Sequence, residues 1–176
     1  MWYVIQTLFG EEERTAGMIR EQVSSCYVEE CFVSKRERMK KFHGSWNKVE
    51  EILFRGYVFV ISKEPEGLYQ ELKKVPKLTK MLGREKAFFC PLSEKEEQMI
   101  QRIGGKDCKT VLSKIELGEG KQIRVIEGPL KNYVGDVVKV NLHKREVVVR
   151  VEFMGKSVDV FMGVEMAEGM NGLGEK

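Results

Sequence analysis

Few residues in this chain of 176 amino acids could carry catalysis or bind a metal. The two histidines, His43 and His143, do not lie beside a cysteine in the sequence. The cysteines are separated by 4, 58 and 17 residues, spacings that do not form two CxxC-type knuckles. A zinc site is therefore disfavoured, and reduced thiols are the simpler interpretation. The four cysteines are Cys26, Cys31, Cys90 and Cys108.

Nucleophilic catalysis and phosphate binding by a glycine-rich loop are also disfavoured. The sequence contains neither a Ser/His/Asp nor a Cys/His neighbourhood. It has no GxGxxG and no GxxxxGK[ST] motif. We therefore predict no enzymatic activity, no cofactor and no metal centre, which leaves binding as the mode of action.

Composition and charge restrict the class of protein further. With 42% hydrophobic residues the chain can bury a core, and its net charge of +3 is too small to indicate a nucleic-acid partner by itself. No run approaches the roughly 18 apolar residues that a membrane helix needs. The N-terminus has no positive segment followed by an apolar one, so we expect a cytoplasmic protein without a secretory signal or a membrane partner.

Strand and helix patterns alternate over the first hundred residues. Ser93 and Glu96 form a capping box, which predicts the start of a helix that ends at Gly104-Gly105. The pattern predicts an α+β fold, beginning with an α/β sandwich whose antiparallel sheet has flanking helices. The other predicted elements are strands at 2–7, 27–34, 78–82 and 87–90 and helices at 11–25 and 67–74.

The most hydrophobic run, residues 51–61, is predicted to be the central strand. Alternation places Tyr57 and Phe59 on one face and Val58 and Val60 on the other, so neither face is polar. Both faces must therefore be covered, by helices or by a partner protein.

A basic, polar stretch over residues 35–48 precedes that strand, and Gly44-Ser45 supplies a turn. Glu37 is its single acidic residue. Two interpretations stay open: a solvated hairpin, or an arm that faces nucleic acid.

The chain changes character at Gly118, after which short valine-rich segments are separated by turns. Four or five short strands in about 50 residues are typical of a small β-barrel. We expect domains at 1–105 and 119–168, a linker at 106–118 and a flexible tail at 169–176.

Two groups of motifs, in this order, resemble the NusG family of transcription factors. Trp2-Tyr3-Val4, Leu53–Val60 and Pro91–Glu94 resemble its N-terminal NGN domain, and Val125–Val137 resembles its SH3-like KOW β-barrel motif. The resemblance covers nearly the whole chain. It implies that the NGN domain binds the clamp helices of the largest RNA polymerase subunit through an aromatic patch at Phe54, Tyr57 and Phe59.

Departures from the family pattern favour a specialised paralog, most like the LoaP kind. Phe54-Arg55-Gly56-Tyr57 stands where the family usually has Phe-Pro-Gly-Tyr, and the basic stretch is richer than a general factor needs. The valine-rich C-terminal segments form helices poorly, which disfavours the helical alternative of RfaH-like proteins. The resemblance then implies a processive antiterminator that acts on particular operons. The alternative is a general NusG elongation factor whose barrel binds a ribosomal protein or Rho.

Basic residues are the candidates for RNA contacts. The segment 109–150 holds nine Lys and Arg against five acidic residues. In the turn at residues 131–133, a lysine can contact a phosphate, an amide can form hydrogen bonds and an aromatic ring can stack on a nucleotide. The alternative is an ordinary solvated loop. The expected partners are RNA polymerase, a hairpin in the nascent leader RNA and, as a further candidate, non-template DNA, bound by a monomer. The predicted nucleic-acid-binding residues are Lys35, Arg36, Arg38, Lys40, Lys41, Lys131, Asn132, Tyr133, Lys139, His143, Lys144 and Arg145.

Overall fold

The computed structural model describes residues 1–75, 89–105 and 107–167, which form two compact units. The first unit contains residues 1–34 and 54–97, and the second contains residues 35–53 and the chain from residue 98 onward. The strand predicted at 78–82, residues 87 and 88 of the one at 87–90, and the tail at 169–176 lie outside the described residues. Within the described part of the chain, no helix is long and apolar enough to cross a membrane.

Twelve strands and three α-helices make up the described ranges. Short 3-10 segments at Glu119–Lys121, Pro129–Asp136 and Leu142–Lys144 join some of them. In chain order the elements are β1 (Trp2–Gln6), α1 (Glu12–Gln22), β2 (Glu30–Phe32), β3 (Lys35–Phe42), β4 (Ser45–Ile52), β5 (Tyr57–Ile61), α2 (Pro65–Lys74), β6 (Phe89–Pro91), α3 (Glu94–Gly104), β7 (Lys109–Thr110), β8 (Ser113–Leu117), β9 (Ile123–Glu127), β10 (Val137–Asn141), β11 (Glu146–Phe153) and β12 (Lys156–Met166).

The first unit is built on an antiparallel sheet with the strand order β2-β5-β1-β6. The predicted central position of β5 is confirmed, because β5 pairs with both β1 and β2. It is shorter than predicted. Residues 51–52 end β4, and a turn with Gly56 at φ +80° separates them from β5. Glycine suits this left-handed conformation, which carries a steric penalty for other residues.

Aromatic packing fills the core of this unit. Val58, Phe59 and Val60 are fully buried, so both faces of β5 are covered by other residues of the chain. The Phe59 ring stacks on Phe32 at 5.3 Å and meets the edge of Phe54 at 6.0 Å. The apolar character of β5 is therefore explained by packing, without a partner protein.

The predicted capping box is confirmed at the start of α3. The Glu96 backbone N–H donates to Ser93 Oγ at 3.4 Å, and the Ser93 backbone N–H donates back to Glu96 Oε2 at 2.8 Å. This reciprocal pair satisfies two N–H groups that have no partner within the helix. Helix α1 is shorter than predicted and ends at Gln22, because Val23 is extended with ψ 132°.

The second unit combines the basic hairpin with the C-terminal strands. Strand β3 pairs with β4 and, in parallel, with β7. A second sheet with the order β10-β11-β12-β8-β9 curls like half a barrel. Residues 113–117, which the sequence analysis placed in a linker, form β8 of this sheet, because Ile115 is fully buried.

Strand β12 passes close to the backbone of β3. A Cβ atom at Gly163 would collide with the Glu37 carbonyl oxygen and lie 2.8 Å from Leu112 Cδ2. This close approach brings the hairpin, which the predicted boundaries assign to domain 1–105, into the same unit as the C-terminal strands.

Candidate nucleic-acid interface

The hairpin of β3 and β4 ends in a two-residue turn. His43 has φ +47° and Gly44 has φ +84°, and Phe42 pairs with Ser45 across the turn. Two positive φ values in succession are typical of a type I′ turn, whose twist matches that of the strands. The turn therefore lies one residue before the predicted Gly44-Ser45. We call Lys41–Trp46 the hairpin tip, and residues 35–40 with 47–52 the hairpin base.

At the hairpin base, Arg36 is buried and makes three hydrogen bonds within the second unit. Its Nη1 donates to Glu146 Oε2 at 2.9 Å and to the Phe161 carbonyl at 2.8 Å, and its Nη2 donates to Glu51 Oε2 at 2.9 Å. The guanidinium also lies 5.6 Å from the centre of the Phe161 ring. The nucleic-acid contact of Arg36 stays a prediction, but three of its N–H groups are already hydrogen-bonded inside the unit.

Glu51 is the centre of this base cluster. It also accepts from Arg38 Nη1 at 3.2 Å and pairs with Lys40 Nζ at 2.9 Å. Burial opposes its ionisation, but hydrogen bonds from Lys40 and Arg36 and the nearby charges of Arg36 and Arg38 outweigh that and lower the pKa of Glu51 to about 2. Three of the predicted cations therefore share Glu51, and Arg36 and Arg38 also pair with Glu146 at 2.9 and 3.9 Å, so two carboxylates offset part of their charge.

Two further carboxylates neutralise the other cations of the base. Glu50 pairs with Lys35 at 3.3 Å and with Lys109 at 2.8 Å, and the hydrogen bond from Lys109 lowers the pKa of Glu50. Glu37 pairs with Lys48 at 3.6 Å and accepts the Leu112 backbone N–H at 3.1 Å. Lys35, a predicted nucleic-acid contact, is therefore half-buried beside Glu50.

The hairpin tip has a different environment. No acidic residue occurs between positions 38 and 48, and Lys41, Phe42 and His43 are exposed. The half-buried Trp46 ring lies 4.2 Å from the Arg145 guanidinium and 6.0 Å from Lys41 Nζ. The tertiary structure thus joins two basic segments that are a hundred residues apart in the chain.

A short 3-10 segment positions Arg145 for this contact. Asn141 Oδ1 accepts the Lys144 backbone N–H at 3.0 Å, which caps the segment. Arg145 then adopts φ +48° and its N–H donates to the Leu142 carbonyl at 3.1 Å. His143 and Lys144 are left exposed beside it. Lys139 on β10 is exposed as well, so the predicted cations at 139–145 form an accessible group.

The turn at Pro129–Asp136 contains three predicted nucleic-acid contacts, which differ in their exposure. Lys131 and Asn132 are exposed, but Tyr133 is 8% exposed and its hydroxyl donates to the Met99 carbonyl at 3.3 Å. The contact of Tyr133 with a nucleotide stays a prediction, although its ring is buried in this structure. Burial raises the pKa of this tyrosine. Its neighbours on the turn remain available to solvent.

The predicted aromatic patch of the first unit is mostly internal. Phe54 and Phe59 are 3% and 0% exposed, whereas Tyr57 is half-buried. A side chain with no accessible surface can support a docking face but cannot itself contact a partner. Of the three predicted polymerase-binding residues, Tyr57 has the most solvent-accessible surface.

Two residues that sequence reasoning missed lie beside that patch. Leu8 and Phe9 are 70% and 71% exposed, and the Thr7 backbone N–H donates to the Gly56 carbonyl at 2.8 Å, which brings their loop to the Phe54–Tyr57 turn. Arg55 lies 5.6 Å from the centre of the Phe9 ring. The sequence signal that could have indicated an exposed apolar loop is the pair of large apolar residues directly before Gly10.

The aromatic residues of the hairpin tip, Phe42 and Trp46, were also missed. Their signal was the interleaving of aromatic and basic residues over 38–48, which is typical of surfaces that bind single-stranded nucleic acid. The candidate interface in the second unit therefore consists of the hairpin tip with the exposed basic residues of the barrel: Lys41, Phe42, His43, Trp46, Lys131, Asn132, Lys139, His143, Lys144 and Arg145.

Comparison with known proteins agrees with these motifs. A family model described as "Transcription termination factor nusG" matches residues 1–101. The chain belongs to the NusG family. It is 30% identical over 175 residues to the transcription termination/antitermination protein NusG of Buchnera aphidicola, a match that covers 95% of this chain and 94% of the relative. The NusG protein of Escherichia coli K12 is 27% identical over 175 residues, with the same coverage.

The solved structure of Thermotoga maritima NusG has the same fold. It matches with a TM-score of 0.51 and 20% identity over 92% of both chains. The predicted fold class, an NGN-type α/β sandwich followed by a KOW barrel, is confirmed by this match together with the sheets described above. As a NusG-type protein, the chain is a transcription termination/antitermination factor and not an enzyme.

Proposed function

We propose that this NusG-family protein is a specialised, LoaP-like processive antiterminator. It binds RNA polymerase through its first unit and a hairpin of the nascent leader RNA through the basic surface of its second unit. The observation that carries the proposal is the Arg145–Trp46 contact, which places the basic residues of the barrel next to a hairpin tip without carboxylates.

The composite basic surface suits an RNA backbone. Exposed Lys131, Lys139 and Lys144 offer ammonium groups that no carboxylate neutralises among the described residues. Neutralising phosphates with such groups releases counterions, so the affinity should fall steeply as salt increases. The base cations Arg36, Arg38 and Lys40 hold the hairpin in place and contribute less to this surface.

The first unit offers the surface for polymerase. Tyr57 and the exposed Leu8 and Phe9 form an apolar face around the Phe54–Tyr57 turn, and Arg55 adds a cation. Aromatic anchors of this kind usually carry most of the interface free energy. The family resemblance supports the clamp helices of the largest subunit as the partner.

The mechanism is binding without chemistry. The first unit shifts the polymerase towards its elongating state by binding that state more tightly than the paused one. RNA held by the second unit raises the local concentration of the factor at operons whose leader carries the hairpin.

A salt-dependent RNA titration combined with a polymerase-binding assay tests the proposal. The purified protein should bind a leader hairpin more tightly than a scrambled sequence of the same length, and competition with a non-template DNA strand should separate RNA from DNA binding. Tyr57→Ala should weaken polymerase binding by about 1–3 kcal/mol without unfolding the protein. Equal affinity for leader and scrambled RNA, or binding insensitive to salt, would contradict the proposal.

The second candidate function is a general elongation factor whose barrel binds a protein. Val134, Val138 and Val140 are 54%, 46% and 38% exposed, an apolar group that favours a protein ligand such as a ribosomal protein or Rho. Binding of either protein that is lost in Val138→Ser, without any specific RNA binding, would favour this alternative.

A further inference from the structure

We propose that the hairpin tip is a stacking site for an unpaired RNA nucleobase, with Phe42 as its platform. This inference rests on the proposed function and specifies what the basic surface recognises: a hairpin loop or another single-stranded segment, rather than the duplex stem.

The Phe42 ring is available for such a contact. It is 50% exposed, and in the described part of the chain it makes no contact with another ring or a cation. Half of the surface of this residue is therefore accessible to a ligand. The tight turn at His43-Gly44 and the pairing of Phe42 with Ser45 fix the backbone that carries it.

The neighbouring aromatic residue, Trp46, has a structural role. Trp46 is half-buried, with the Arg145 guanidinium 4.2 Å from its centre and Lys41 Nζ at 6.0 Å. Because cations already lie over this ring, it is a poorer platform than Phe42. Its contacts instead stiffen the strand pair next to Phe42, since Lys41 and Trp46 are the adjacent cross-strand partners.

The electrostatic surroundings select a nucleic-acid ligand over an apolar protein. Phe42 lies between Lys41 and His43 in the sequence, and no acidic residue occurs from 38 to 48. A nucleotide offers both a phosphate for the cations and a π-face for the ring. Within a duplex, bases present only their edges, so an open phenyl ring requires a base that is unpaired.

Fluorescence anisotropy on the full chain tests the inference. The probes are a labelled oligoadenylate of about eight nucleotides, a blunt duplex RNA of similar length, and a stem-loop whose loop carries 2-aminopurine. Phe42→Ala and Phe42→Leu should weaken binding of the single strand about fivefold to a hundredfold and leave duplex binding unchanged. Phe42→Tyr, which keeps the π-face, should retain the affinity.

A matched control and a spectroscopic signature separate stacking from a general loss of structure. Phe9→Ala removes a phenylalanine of the first unit that is 71% exposed, against 50% for Phe42, and should not change RNA binding. Quenching of 2-aminopurine should occur with the wild type and Phe42→Tyr, and should be absent in Phe42→Leu.

The outcomes distinguish this inference from the proposed function. If Phe42→Ala leaves single-strand affinity and quenching unchanged while Lys139→Ala and Lys144→Ala weaken binding, the RNA-binding function stands and the stacking site is wrong. If the wild type binds the duplex as tightly as the single strand, the stacking site is again wrong. If it binds none of the three RNAs, both proposals are overturned.

Discussion

The hairpin base and the hairpin tip both contain basic residues but hold them in different electrostatic surroundings. At the base, Glu51 and Glu146 surround Arg36, and the buried charges hold β3 against the strands of the half-barrel. At the tip, Lys41 and the neighbouring Arg145 flank the Trp46 ring, and no acidic residue occurs between positions 38 and 48. A formal charge in the sequence is therefore not equivalent to a charge that a ligand can reach.

The difference arises from burial. A buried arginine without partners loses hydration that nothing replaces, so it persists only when carboxylates and carbonyls satisfy it. The lysine at the tip lies in an exposed segment whose sequence neighbours are not acidic. Mutations at the base should accordingly change stability, and mutations at the tip should change binding.

The largest expected effect is at Arg36. Arg36→Ala should lower the free energy of unfolding by about 3–5 kcal/mol, because Glu51 and Glu146 lose their buried partner. Urea denaturation followed by circular dichroism measures this. Lys41→Ala at the tip is the control and should lie within about 0.5 kcal/mol of the wild type. Equal losses in the two variants would remove the distinction between base and tip.

The pH dependence of stability probes the same cluster. The pKa of Glu51 is about 2 in the folded protein against an ordinary 4.5, so its contribution is fully present above pH 4.5 and is lost as the pH falls towards 2. One group contributes a slope of at most about 1.4 kcal/mol per pH unit. Urea midpoints in this window should vary less with pH in Glu51→Gln. An unchanged slope would show that Glu51 is not the titrating group.

The approach of β12 to the hairpin base provides a steric test. Gly163→Ala should destabilise the second unit by about 1–3 kcal/mol, because its Cβ would collide with the backbone of β3. Gly135→Ala, with no atom within 4 Å of its Cβ, serves as the control in thermal unfolding. A neutral Gly163→Ala variant would indicate that the hairpin can move away from β12 at little cost.

The smallest effect is expected where charges are accessible. Replacing Lys139 and Lys144 by alanine should reduce the slope of log K against log salt by about 1–2 for RNA binding, with stability unchanged. Replacing Lys35 and Lys48, which pair with carboxylates at the base, should leave that slope nearly the same. If replacing Lys35 and Lys48 reduced the slope more than replacing Lys139 and Lys144, the assignment of the RNA-binding surface would be wrong.

Local signals in the sequence predicted local structure well. The Ser93–Glu96 capping box, the central position of β5 and the valine-rich strands after Gly118 depend on neighbours a few residues apart or on strong hydrophobicity. Long-range packing was not accessible in this way. Phe54, Phe59 and Tyr133 were predicted to contact ligands, yet they are buried, because side chains distant in sequence cover them.

The sequence by itself determined the family, the order of the two domain types, the absence of catalytic groupings in its motifs, and the segments that carry positive charge. Only the tertiary structure decided which of those charges are neutralised, since Glu51 and Glu146 become partners of Arg36 through pairing of β3 with β4 and packing against β11 and β12. It also decided that Arg145 lies on Trp46. The physical reason is that the neighbours of a charge in space decide whether it is neutralised or accessible. Folding brings these neighbours together from distant parts of the sequence, where local patterns give no information about them.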